Sequence, residues 1–598
     1  MKFGFQLQVK QNNSMGANRP GGQYAFDRGY TQPNPLVTGN NLGNGIASFL
    51  LGYPSSGYLD LRALTAPQAP FYGWYFQDDF KITPKLTLNL GLRYDLLFGV
   101  TERYNQSADG FDPTVANPIQ AAAQSAYAAN PVPELSPSSF KVSGGLFFAT
   151  PNNRRNALLD KTNWGPRVGL AYRILPKTVL RTWFGVFYSE WWQPFVNTTG
   201  FASTTNMTAS LDGGLSPANT LSNPFPSGLI LPTGASQGYA TLLGTSLNVY
   251  DYWRKNLRNL RWSFGFQQEI TKDLQIEVNY VGQHADHLML ASSSSDSGRV
   301  INGPGNGTCP TFIESYCALG TRLNARIPNP FFGLIPAASP LGQSTITVAQ
   351  LLEPNPEFQS ISINRDSGGT SQYNSQGGNS YYNSLQIGAN KRFSYGLNAQ
   401  VAYTFSRQIE TLRYIEPGDA APSKMIGQFD NPQRVSMGII YELPFGPGKS
   451  LKSNVAAVNK VIGGWQWSAM YIYQTGAAVA LPAVLATGSS PAVSNPSVNN
   501  WFNPASMAVL PAYTPRTIPY FWSGLRSPSI NNWDMSFIKN TLIYKDRVKL
   551  QFRAEFVNAL NRPWFGTLDT NPASATYTQL TSQANNPRNI QFGLKVNF

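Results

Sequence analysis

Hydrophobic and polar residues alternate along much of this chain, most plainly at its end. Arg588 to Phe598 (RNIQFGLKVNF) puts Ile590, Phe592, Leu594, Val596 and Phe598 at one parity, and Asn589, Gln591, Gly593, Lys595 and Asn597 at the other. A strand turns successive side chains to opposite faces, so this segment has one apolar side and one wet side. About ten residues is also what a tilted strand needs to cross a bilayer. The pattern recurs more than a dozen times. In 261–271, Trp262, Phe264, Phe266 and Ile270 alternate with Arg261, Ser263, Gly265, Gln267 and Glu269. In 548–557, Val548, Leu550, Phe552, Ala554 and Phe556 alternate with Lys549, Gln551, Arg553 and Glu555. Arg or Lys against lipid costs several kcal/mol at the midplane, so the charged faces must line a watery interior. Trp465, Trp467, Tyr471 and Tyr473 share one parity and have the character of an interfacial aromatic girdle.

The strands come in pairs. Residues 71–82 and 86–97 flank Thr83-Pro84-Lys85; 164–175 and 178–189 flank Pro176-Lys177; 260–270 and 274–281 flank Thr271-Lys272-Asp273. Residues 381–393 and 397–406 meet at Ser394-Tyr395-Gly396, and 532–544 and 548–558 at Lys545-Asp546. Pro, Gly, Asp and Lys at these junctions suit tight turns. Between the pairs lie long polar segments, 99–163, 191–259, 291–380 and 475–531, dense in Gly, Pro, Asn, Ser and Thr. Several loops of that length count against a compact soluble domain. They fit a barrel with short periplasmic turns and long extracellular loops. The expectation is an all-β fold, a transmembrane antiparallel β-barrel, with about fifteen strands within residues 1–598. Open edges cost several kcal/mol per unpaired group in hydrocarbon, so either these strands close on themselves or further strands complete the wall.

Composition sharpens this picture. Of 598 residues, charged side chains make up 13% and aromatics 13%, against about a quarter charged in an average soluble protein. No apolar run approaches the roughly twenty residues of a spanning helix, which excludes a helical membrane protein. The net charge of +14 raises nucleic acid as a partner, but Lys and Arg are scattered, so the charge is assigned to loops and a polar lumen, with some attraction for anionic solutes or lipopolysaccharide. Cys309 and Cys317 stand eight apart in a Gly/Pro/Ser-rich stretch, which predicts a local disulfide in an oxidising compartment. His284 and His287 form H-x-x-H, a spacing that sends the rings to opposite faces of a strand and argues against a shared metal. Met1 to Lys10 is already an alternating strand, with no secretion signal preceding it. The expectation drawn is that the chain is the carboxy-terminal part of a longer exported polypeptide.

Several phrases resemble the barrel region of TonB-dependent outer-membrane receptors of the Oar-like group, which carry an N-terminal carboxypeptidase-regulatory-like domain. They are NSYYNSLQIGANKRFSYGLNAQVAYTFSR (379–407), DNPQRVSMGIIYELPFGPGK (430–449), GGWQWSAMYIYQTGAAV (463–479), LQFRAEFVNALNRPWFG (550–566) and the terminal PRNIQFGLKVNF. GNGIASFLLGYPSSG (43–57) and FYGWYFQDDFKITPKLTLNLGLRYD (71–95) fit the same group. The resemblance implies a 22-stranded barrel around a plug, coupled through a TonB box to the inner-membrane energy system for uptake of bulky solutes such as an oligosaccharide or peptide. Neither plug, TonB box nor regulatory-like domain is found among these residues.

No nucleophile elbow, P-loop, zinc pattern or H-E-x-x-H appears, and no cofactor is expected. Asp78-Asp79 reads as a solvated periplasmic rim near a short turn. Lys549, Arg553 and Glu555 form a candidate lumen cluster that either contacts solute or plug or simply neutralises its own charge. Aromatic loop phrases, 188–195 (YSEWWQPF) and Tyr520 to Trp522, either stack on flat ligands or sit at the outer interface. Three function classes follow: a receptor for a large solute, a passive porin or adhesin-like barrel, and a secreted soluble all-β protein that binds or processes carbohydrate.

Overall fold

The computed structural model describes residues 1–13, 19–34, 42–189, 196–212, 214–290, 299–337, 339–363, 377–544 and 548–598. Fourteen long strands follow one another around a single antiparallel sheet. They are β1 (Lys2–Gln11), β2 (Pro67–Thr83), β3 (Leu86–Leu97), β4 (Trp164–Leu175), β5 (Thr178–Tyr188), β6 (Arg258–Thr271) and β7 (Leu274–Leu288), then β8 (Gly378–Ser394), β9 (Leu397–Arg413), β10 (Gln433–Glu442), β11 (Trp465–Gln474), β12 (Ile530–Tyr544), β13 (Val548–Val557) and β14 (Asn589–Asn597). Short strands at Thr101–Glu102 and Ser423–Ile426 add to its rim. Each long strand pairs with the next, while β1 and β14 form the two edges, so the wall is not closed.

Turn chemistry sets the register. Ser394 pairs with Leu397 across Tyr395 and Gly396, both at positive φ (50° and 78°). That is the geometry of a two-residue hairpin whose twist matches its strands, and glycine supplies half of it without strain. Pro84 and Pro176 open two other two-residue turns, Thr83 pairing with Leu86 and Leu175 with Thr178. The Lys545-Asp546 turn lies outside the described residues.

The wall has two chemically opposite faces. Phe552 pairs with Leu594, Ala554 with Phe592 and Phe556 with Ile590, one apolar set on one face. Phe592 and Leu594 are 68% and 69% exposed, and Phe264 and Phe5 stand exposed in the same way. Strands normally bury such a face against a second layer; here, apart from the patch covered by residues 443–464, it meets no other described residues and is the lipid surface. Aromatic pairs mark its rim: Tyr94 stacks on Trp164 at 4.2 Å, Tyr471 on Trp533 at 4.5 Å and His284 on Tyr381 at 4.2 Å. The four aromatics of β11 do share this outer face, but they span the strand. Trp465 and Trp467 stand at its periplasmic end and Tyr471 and Tyr473 at the other, forming two belts rather than one. Among the described residues no helix is long and apolar enough to cross a membrane.

The long loops depart from the sequence reading. They are not solvated tethers: among the described residues, most of the largest fully buried side chains, including Phe111, Tyr127, Phe140, Phe331, Phe358, Phe502, Leu351 and Ile361, belong to them. Loops 98–163, 189–257 and 289–377 share one core. Ser246–Val249 and Ser360–Ile363 pair in parallel between two of these loops, and Arg322 bridges to Glu134 at 2.8 Å. Loops 475–529 and 558–588 build a second core around Phe502, Leu481 and Leu568. The extracellular end is therefore a folded cap.

Candidate solute-facing surface

The inner wall is polar and, on one side, strongly cationic. Across β3 to β6 the inward positions carry Arg93, Arg167, Arg173, Arg181 and Arg261 against Asp95 and, by the periplasmic turn, Glu269, which Lys177 neutralises at 3.7 Å. Register brings three of these arginines together below the cap. Gly185 of β5 pairs with both Arg167 and Arg261. The next inward residue, Phe187, lies beneath both guanidiniums, 4.7 Å from Arg167 Cζ and 5.9 Å from Arg261 Cζ. A side chain at Gly185 would meet the Phe187 ring at 2.9 Å, so glycine there lets the ring fold between the two cations. Arg93 is held differently: its Nε donates to Asp95 Oδ2 at 3.0 Å and its Nη2 to Gln6 Oε1 at 3.0 Å. Gln6, Arg93, Arg167 and Phe187 line a cleft of about 170 Å³. Planar forks in fixed positions suit carboxylate or phosphate.

A larger cleft of about 610 Å³ lies on the opposite arc. Ser436, Met470 and Asp534 of the inner wall face Arg562, Trp564 and Asn585 of loop 558–588. That loop is anchored where Asn558 N donates to Asp534 Oδ1 at 2.8 Å and Asn558 Nδ2 to Arg562 O at 3.0 Å. Mixed apolar and amide walls of this size fit part of a bulky neutral solute.

The proposed cluster on β13 is only partly assembled. Arg553 Nη1 and Glu555 Oε1 lie 3.8 Å apart, and both are well exposed. Lys549 shares their face but stands four residues away, about 13 Å along the strand. Cys309 and Cys317 are joined in a disulfide within the cap, both buried. His284 is stacked on the outer face, whereas His287 Nδ1 lies 3.2 Å from Asn256 O. No metal-holding cluster occurs among the described residues. Asp78 and Asp79 point to opposite faces, Asp79 accepting from Asn89 Nδ2 at 2.6 Å, so they form no acid–base pair. Asp78 shares the outer face with Phe76 and Phe80, five residues from the short turn, and pairs with the Met1 amino group at 3.1 Å. Tyr520 and Phe521 are buried in the cap rather than free to stack on a ligand, with Arg516 Cζ 3.8 Å over the Tyr520 ring. Of YSEWWQPF, residues 190–195 lie outside the described residues. The inward arginines escaped the sequence reading because only register shows that residues so far apart converge; glycines opposite polar-face arginines were the available signal.

The cap also holds acids out of water. Burial pushes Glu353 up to about 8, against the N–H groups of Gly303 and Phe312 that its carboxylate accepts. Burial likewise raises Asp109 to about 7 and Glu357 well above the usual carboxylate range. Among the described residues, neither Glu357 side-chain oxygen has a hydrogen-bond partner beyond its own backbone N–H.

No curated protein matches the chain. Among solved structures it is similar to the siderophore receptor PiuA from Acinetobacter baumannii (10% identity, TM-score 0.34, covering 91% of this chain and 44% of that one). It is also similar to the pyoverdine receptor FpvA from Pseudomonas aeruginosa PAO1 (10%, 0.37, 92% and 44%) and to the ferric citrate transporter FecA (8%, 0.35, 91% and 50%). The chain spans half or less of the length of each. A family model described as an outer membrane beta barrel domain matches residues 1–591. With its two-faced wall, short turns at one end and folded loops at the other, the chain belongs to that family and resides in the outer membrane of a Gram-negative cell.

Proposed function

We propose that the chain forms the solute-selecting wall of a TonB-dependent receptor of the Oar-like group, importing a bulky solute such as an oligosaccharide or peptide and catalysing no reaction. The observation that carries this reading is the cap: loops 98–163, 189–257 and 289–377, at the end of the wall opposite the short turns, share one hydrophobic core. A folded entrance presents a fixed, preorganised surface, which suits a receptor that must capture a scarce ligand. The two unpaired sheet edges call for partner strands inside a bilayer, as the larger barrel of such receptors would supply. The resemblance of 379–407 and 550–566 to that group favours it over an adhesin.

The test is growth of the native strain against its gene deletion on single oligosaccharides and peptides, with and without a working TonB system. The proposal expects an advantage on particular solutes that disappears without TonB. An advantage independent of TonB, together with steady ion conductance of the reconstituted protein, would instead establish a passive porin.

A further inference from the structure

The connection from β10 to β11, residues 443–464, is far longer than the two-residue turns at the same end of the wall. It carries a short helix, Ala456–Ile462, and Lys539 of β12 fastens it to the outside of the barrel. Lys539 pairs in register with Trp465 and Phe552, which puts it on the lipid face. Its Nζ donates to Lys460 O at 2.8 Å, Val461 O at 2.8 Å and Gly463 O at 2.7 Å, and lies 5.2 Å from the Trp465 ring. Trp465 Nε1 donates to Val461 O at 3.0 Å. A cation that would be costly on this face is thus satisfied by helix-end carbonyls.

The fastened helix leaves a cleft of about 590 Å³ between itself and the wall. Its lining, including Phe445, Val461, Phe537, Phe552, Ala554 and Phe592, is apolar and continuous with the lipid belt. Leu451, Val455 and Val461 of the same connection are more than half exposed, a poor arrangement for a segment in water. Its charge is one-sided: Lys449, Lys452 and Lys460 occur without any Asp or Glu. Glu442 takes Lys449 at 2.8 Å, while Lys452 and Lys460 are exposed.

We propose that this connection lies in the periplasmic leaflet and holds an anionic phospholipid, one acyl chain in the cleft and the headgroup against Lys452 and Lys460. An apolar cleft opening into hydrocarbon is filled by an acyl chain, and two exposed lysines on a connection without acids favour a negative headgroup. The inference is independent of the transported solute.

Native mass spectrometry of the purified full chain, with phosphatidylglycerol, phosphatidylethanolamine and lipid A added in equal amounts, tests it. About tenfold preferential retention of phosphatidylglycerol is expected. Lys452→Glu with Lys460→Glu should abolish the preference, and Val461→Glu should remove bound lipid, with folding of each variant checked by heat-modifiable gel migration. Equal retention of the three lipids, preference for lipid A, or unchanged preference in the folded double variant would overturn the proposal.

Discussion

Arg526 reaches Asp430 across 96 residues of sequence, its Nη2 2.5 Å from Asp430 Oδ2. The carboxylate is fully buried, and Arg526 also donates to Asp430 O at 2.6 Å and Gly476 O at 3.2 Å. The contact clamps loop 475–529 to the entrance of β10. Asp430→Ala leaves a largely dry guanidinium without its counter-charge, a loss on the order of 3 kcal/mol. The expected outcome is faster protease nicking within 475–529 while the barrel stays folded and resistant; unchanged nicking would show that the clamp does not hold the cap.

The buried acids make the cap sensitive to pH. Glu353, Glu357 and Asp109 have folded-state pKa values above those of the open chain, with Glu353 near 8 and Asp109 near 7. Below about pH 4 both states are protonated and these groups change nothing. As pH rises toward 8, the opened cap releases protons that the folded cap retains, and stability falls by about 1.4 kcal/mol per pH unit for each retained proton. Protection factors in loop 289–377, corrected for the intrinsic rise of amide exchange with pH, should therefore be higher at pH 5 than at pH 8, and Glu357→Gln should reduce the difference. Equal protection at both pH values would contradict this.

The Cys309–Cys317 bridge closes a small ring in the cap, beside Leu323 and Val348. Ring closure of that size contributes about 2.5 kcal/mol in the chain-entropy account. Reduction, or Cys309→Ala with Cys317→Ala, should loosen 305–325 in hydrogen exchange and leave the strands untouched.

The inward arginines predict affinity for anions. Pyrophosphate should raise the melting temperature of the folded protein, and Arg167→Ala with Arg261→Ala should remove the rise, each charged hydrogen bond contributing about 2 kcal/mol. No rise in the unaltered protein would refute the site.

The barrel strands were legible because two solvents write on them: lipid and water select opposite parities, so Ile590 through Phe598 declare their faces without any knowledge of neighbours. The turns were legible for a local reason as well, through residues such as Pro84 and Gly396. The cap was not. Leu247 packs with Ile361 through a parallel pairing between separate loops, and nothing periodic in either loop announces it. The convergence of Arg167 and Arg261 on Phe187 depends on register across three strands, whereas Lys549 shares a strand with Arg553 yet is too far along it to join the cluster. Spacing in sequence was sufficient for Cys309 and Cys317 to be paired, because a short ring leaves few alternatives.

A wall with lipid on one face and water on the other must respond oppositely to arginine at adjacent positions. Phe552→Arg and Phe264→Arg should lose about 2–4 kcal/mol each and fail to give the heat-modifiable folded band after insertion into lipid vesicles. Gln551→Arg and Ser263→Arg, one residue away on the inner face, should fold as the unaltered protein does. Equal tolerance of arginine on both faces would contradict the account.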